Sequence, residues 1–129
     1  MCHVKERDLK EKFSEHSNVE FLGFKNQIEL PSIYSSADLL VLPSLSETWG
    51  LTINEALACG TPVAASVYCG GAIDMINSDN GFLFDPKKGP ESFIEKLEQF
   101  RKQEKKQFIQ KFKDQYSYDR IVKAVINNL

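Results

Sequence analysis

Apolar positions along the chain change period several times. Within residues 4–13, Leu9 and Phe13 stand four apart among charged neighbours, which predicts a short helix. Residues 19–24 (VEFLGF) alternate and reach Gly23, the pattern of a strand. Across residues 27–37, Ile28, Leu30, Ile33 and Tyr34 take helical spacing, and Pro31 suits a first turn. Residues 38–43 (DLLVLP) form a short unbroken apolar run, which predicts a strand covered on both faces, as in a parallel sheet. A loop over 44–49 leads to a helix from about 50 to 59, with Gly60 at its C-terminal turn and Pro62 beyond. Residues 61–67 (TPVAASV) predict another buried strand, 69–71 a Cys-Gly-Gly turn and 72–76 a short helix. A turn over 77–81 and a last strand over 81–84 follow. Beyond Pro86 the period becomes helical: Phe93, Leu97 and Phe100, then Phe108, Ile109, Phe112 and Tyr116, then Ile121, Val122, Val125 and Ile126. Alternating strands and helices predict an α/β fold, a parallel sheet with right-handed crossovers.

Composition narrows the function classes. A chain of 129 residues makes about one domain. Hydrophobic residues at 42% and charged residues at 26% belong to an ordinary globular protein. A net charge of −2 argues against a nucleic-acid partner. Cys2, Cys59 and Cys69 show no C-x-x-C spacing and read as reduced thiols in a cytoplasmic setting. Cys2, His3 and His16 match no usual zinc spacing. No apolar run approaches the roughly 20 residues of a membrane span. The amino-terminal MCHVKERDLK lacks the apolar core of a secretory signal.

The chemistry concentrates in SETWGLTINEALACG, residues 46–60, where Glu47 and Glu55 stand eight positions apart. In an open α/β sheet, ligands bind beyond the carboxyl ends of the strands. The loop after DLLVLP lies at that edge, and the next helix turns its amino terminus toward it. Free N–H groups of Thr48, Trp49, Gly50 and Leu51, with the helix dipole, would make an anion site suited to a phosphate. Gly50 has no Cβ to hold a ligand off the backbone. Carboxylates accept hydrogen bonds and suit paired hydroxyls on a sugar or a ribose. The stretch therefore predicts an anion flanked by hydroxyl-bearing groups, as in a nucleotide-sugar. The plainer alternatives are a solvated helix glutamate at Glu55, a helix-start acid at Glu47 and a packing residue at Trp49.

PSLSETWGLTINEALACGTPVAAS, residues 43–66, resembles the signature of the retaining glycosyltransferases of the GT-B fold, the glycosyl transferases group 1. The elements compared are the Pro-Ser after a buried strand, the E-x7-E pair, and Glu55-Ala56-Leu57-Ala58-Cys59-Gly60-Thr61-Pro62-Val63. VEFLGF, YSSADLLVLPS and Gly70-Gly71 with Asp74 and Asn80-Gly81-Phe82-Leu83 are similar to neighbouring parts of the pattern, Asp74 standing where the family often has Glu. The resemblance runs over residues 19–84. It implies a Rossmann-like parallel sheet with flanking helices, part of the carboxyl-terminal, donor-binding lobe of a GT-B fold.

The implied activity is hexosyl transfer from a nucleotide-sugar to an acceptor with retention of configuration. Glu47 would be catalytic, binding the donor sugar's hydroxyls near the reacting carbon. Amides of Thr48, Trp49, Gly50 and Leu51 would hold sugar and diphosphate, Glu55 the ribose hydroxyls, and residues 23–28, with Gly23 and Phe24, would lie against the base. Neither a metal nor a cofactor is implied; a UDP- or GDP-sugar is the substrate, and polysaccharide biosynthesis the setting.

On the same resemblance, residues 1–129 are a single donor-lobe domain shortened on its amino-terminal side, with 87–129 as a helical end. The acceptor lobe and the basic residues that grip the diphosphate are missing, as are two strands between VEFLGF and DLLVLP. The chain would then rearrange, pair with another copy by self-association or dock on an acceptor-lobe chain to cover unpaired sheet edges. Turnover by this chain alone is not expected, and a non-catalytic nucleotide-sugar-binding subunit is the alternative. A nucleotide-sugar epimerase would need acidic residues from the absent lobe. Residues 96–113 hold seven Lys or Arg and two Glu. They predict a helix that covers the sheet, with weak contact at the cytoplasmic membrane face as the alternative.

Overall fold

The computed structural model describes residues 6–102. Three strands form one parallel sheet in the order β1-β2-β3: Leu40–Leu42, Val63–Ser66 and Gly81–Phe84. Helices alternate with them: α1 (Glu6–Lys12), α2 (Leu30–Ser36), α3 (Leu51–Ala58), α4 (Ala72–Met75) and α5 (Pro90–Arg101), with a 3₁₀ turn over Pro86–Lys88. This is the alternating parallel architecture predicted, a small partial Rossmann-like domain. The predicted helix over 103–129 lies outside the described residues, as does its share of the basic stretch.

The register explains the core. Leu40 faces Val63, and Leu42 faces Ala65 and then Leu83. These side chains pack with Tyr34 of α2, Ile53, Ala56 and Leu57 of α3, and Ala72 and Ile76 around α4. Ile53, Ala56, Val63 and Ala65 are fully buried. All four residues of β2 are buried, and its small side chains let α3 pack against it closely.

The opposite face is covered unevenly. Phe82 and Phe84 of β3 stack against Phe93 of α5, and Phe82 also meets Phe100, with centroids 5.2–5.8 Å apart. Phe100, in the part of the basic stretch that lies within α5, covers the sheet as predicted, together with Phe93 before it. Val41, at the other end of that face, remains 42% exposed. Coverage of both faces was predicted for β1; α5 packs on β3 and its cover does not reach Val41.

Residues 19–24 do not form the strand predicted for them. Alternation alone makes no strand, because a strand exists through hydrogen bonds to a neighbour. The ladder ends at β1, and none of the described residues pairs with this segment. Gly23 also turns to a φ of 66° between Leu22 and Phe24.

The end of α3 follows the prediction closely. The Thr61 N–H donates to the Ala56 carbonyl at 2.9 Å and the Gly60 N–H to that of Leu57 at 3.0 Å. This paired closure stops the helix and turns the chain into β2.

Candidate functional site

The loops after β1 and β2 leave the sheet at its carboxyl edge and are laced together there. The Glu47 N–H donates to the Tyr68 carbonyl at 3.3 Å, and the Gly70 N–H donates to the Glu47 carbonyl at 2.9 Å. Glu47 and Cys69 make a parallel bridge that carries the β1–β2 pairing past the sheet. Gly70 and Gly71 are what this contact requires. A Cβ on Gly70 would stand 2.5 Å from the Thr48 carbonyl oxygen, and one on Gly71 still closer to that of Trp49. The second loop thus backs the first over three consecutive residues, 47–49.

Gly50 ends the loop and begins α3. It is buried and left-handed, at φ 79° and ψ 59°, and a Cβ there would meet Ile53 Cδ1 at 3.0 Å. Glycine is the residue that takes this conformation without strain. Beyond the glycine the chain turns at once into helix. The N–H groups of Thr48, Trp49, Gly50 and Leu51 donate to nothing among the described residues. Around them, Glu47 and Thr48 are exposed, Trp49 is 53% exposed and Leu51 68%. The packing alternative for Trp49 finds little support in that exposure.

The two glutamates have different surroundings. Glu47 lies against the loop after β2, where its charge acts on Cys69: burial first, and then Glu47, push that thiol upward. Glu55 sits in the second turn of α3 and is exposed, yet its carboxylate is held. The Tyr34 hydroxyl donates to Glu55 Oε2 at 3.1 Å. Burial and then this contact push the Tyr34 phenol upward. Cys59, one turn further along, is also raised, by burial and then by Glu55.

The predicted base-side residues, Gly23 and Phe24, lie before α2 in an irregular segment. Phe24 is 94% exposed and nothing stands within 4 Å of a Cβ placed on Gly23. They are open to solvent, while residues 47–51 are gathered at the carboxyl edge.

The sequence model of the glycosyl transferases group 1 family matches residues 4–116. The chain belongs to that family. Among relatives of this group 1 chain, a glycosyltransferase of Methanocaldococcus jannaschii is 33% identical over 115 residues, covering 84% of the chain and 29% of that protein. Sucrose-phosphate synthase from Thermosynechococcus elongatus superimposes with a TM-score of 0.62 and 31% identity, covering 72% of the chain and 23% of the synthase. WaaG, a glycosyltransferase involved in lipopolysaccharide biosynthesis, superimposes with a TM-score of 0.69 over 88% of the chain and 32% of its own. At 24% identity that last likeness is one of fold. The group 1 chain therefore spans less than a third of each of these proteins.

In the sequence Tyr34 is an apolar helix position at the start of YSSADLLVLPS. Its contact with Glu55 spans 21 residues, beyond any helical or strand period. The available signal was chemical: a buried tyrosine hydroxyl needs a partner. Among the described residues no helix is long and apolar enough to cross a membrane.

Proposed function

We propose that this chain supplies the donor-binding part of a retaining glycosyltransferase that uses a nucleotide-sugar. The observation that carries the reading is the exposed tip from Glu47 to Leu51, with its unengaged N–H groups beside Glu47 and one helical turn before Glu55. The donor's diphosphate takes the N–H groups, aided by the partial positive charge at the start of α3. As the bond from the sugar to the diphosphate breaks, negative charge grows on the leaving oxygen, and fixed amides aimed there stabilise it. Glu47 accepts hydrogen bonds from the sugar hydroxyls and sits beside the carbon that changes partners. Glu55 accepts from the ribose hydroxyls, and the segment with Gly23 and Phe24 lies against the base. The acceptor comes from outside the residues described, in a reaction that belongs to polysaccharide or glycolipid assembly in the cytoplasm.

Calorimetric titration with UDP-, GDP- and ADP-sugars tests this. Binding of one series is expected, with weakening in Glu55→Ala. In an enzyme carrying this segment, Glu47→Ala should abolish transfer while leaving nucleotide affinity nearly intact. Equal affinity in Glu55→Ala and the parent removes the ribose assignment.

A second reading, a binding subunit completed by an acceptor-lobe chain or by a second copy, is favoured by the apolar exposure of β1 and of residues 19–24. Val41 is 42%, Leu22 46% and Phe24 94% exposed. Light scattering behind size exclusion tests it: a monomer that stays soluble and well folded at high concentration argues against this reading.

A further inference from the structure

An exposed glutamate on a helix samples several rotamers, and a ligand that needs one of them must first order it. Glu55 differs because one of its oxygens is already engaged. The hydroxyl that engages it belongs to a side chain fixed from several directions. Tyr34 is 9% exposed and lies in the core cluster with Ile53 and Leu57. Its main-chain carbonyl accepts both the Thr61 hydroxyl and the Ala37 N–H. Thr61 belongs to the closure of α3 described above, so α2 and α3 are tied at that end as well. The core sets the phenol, and the phenol sets the carboxylate.

Resting on the assignment of Glu55 to the ribose, we infer that Tyr34 is a positioning residue: through its hydrogen bond to Glu55 Oε2 it holds the carboxylate in the orientation that meets a vicinal pair of ligand hydroxyls. A carboxylate offers about four lone-pair directions, and the phenol occupies one. Oε1 and the remaining direction on Oε2 stay free for two donors. The ordering cost of Glu55 is then met when the protein folds, and ligand binding is spared it.

The test uses UDP and GDP, each beside its 2′,3′-dideoxy counterpart, titrated into the chain and into Tyr34→Phe. The parent is expected to prefer the ribose form of one nucleotide. Tyr34→Phe should lose roughly five- to tenfold in affinity for that form and nothing for the dideoxy form, the scale of one ordinary hydrogen bond. In a Glu55→Ala background the same change should have no further effect. A purely structural tyrosine would weaken both forms alike, which would overturn the inference. A parent that discriminates while Tyr34→Phe keeps the same ratio overturns it alone. A parent that treats both forms alike, or binds neither, removes the ribose assignment and this inference with it. A readout independent of the tyrosine variant's folding is the carbon-13 titration of Tyr34 in the parent and in Glu55→Ala. Removing the exposed carboxylate should move the Tyr34 titration to lower pH; an unmoved titration means that the contact does not persist in solution.

Discussion

The carboxyl edge of the sheet and the apolar segment over residues 19–24 are opposite in construction. At the carboxyl edge, backbone groups of 47–49 are bonded to or pressed against 68–71, and Gly70 and Gly71 admit no side chain. In that segment Val19, Phe21, Leu22 and Phe24 keep from 37% to 94% of their surface, and Val41 of β1 keeps 42%. Apolar composition does not separate the two regions; hydrogen-bonded neighbours do. A loop is held rigid where another main chain is close enough to bond it, and an alternating apolar segment stays open where no strand lies beside it.

The sharpest way to break this contrast is to remove what the laced side rests on. Ile53 is fully buried beneath Gly50, and Ile53→Ala should cost about 3 kcal/mol of stability through lost packing and a cavity. Urea unfolding would measure it, and a cost near zero would mean that the loop is not supported from below. Next in size, Gly71→Ala forces a Cβ against the Trp49 carbonyl and should cost about 2 kcal/mol. The same variant should raise hydrogen exchange at residues 47–50, which separates loosening of the tip from general destabilisation.

A smaller effect follows from three groups pushed upward together. Tyr34 is raised above its ordinary 10.0, and Cys59 and Cys69 above 9.0. In each the folded state holds its proton at pH values where the unfolded chain has released it. Their contribution is fully present below about pH 9 and is lost as pH rises through the raised folded values. The urea midpoint should therefore be flat from pH 7 to about 9 and fall above it. Tyr34→Phe should flatten the upper part of that fall, and an unchanged profile would remove Tyr34 from the account. The smallest effect belongs to the open side. Phe24→Ser should change monomer stability by no more than about 0.5 kcal/mol. A larger loss, with a shift in the light-scattering mass, would show that a second copy covers Phe24 in solution.

Much of the fold was legible because its signals are local. The apolar run DLLVLP and the stretch TPVAASV contain β1 and β2, Gly81–Phe84 is a strand as predicted, and Gly60 follows the end of α3. Glu47, Gly50 and Glu55 stand out in the sequence through the resemblance over residues 43–66, since two glutamates eight apart are common, and the left-handed turn at Gly50 is seen only in the structure. Residues 19–24 misled, since their alternation is a statement about side chains and says nothing of a neighbour.

Sequence by itself determined the parallel α/β order, the helix that starts after Gly50 and the family signature over residues 43–66, because each depends on residues close together in the chain. Tertiary structure alone decided which apolar segments found partners and which polar groups met. Tyr34 reaches Glu55 because α2 packs on α3, and Gly71 passes Trp49 because the loops after β1 and β2 meet at the carboxyl edge. Such contacts follow from the path of the whole chain, and no local period encodes them.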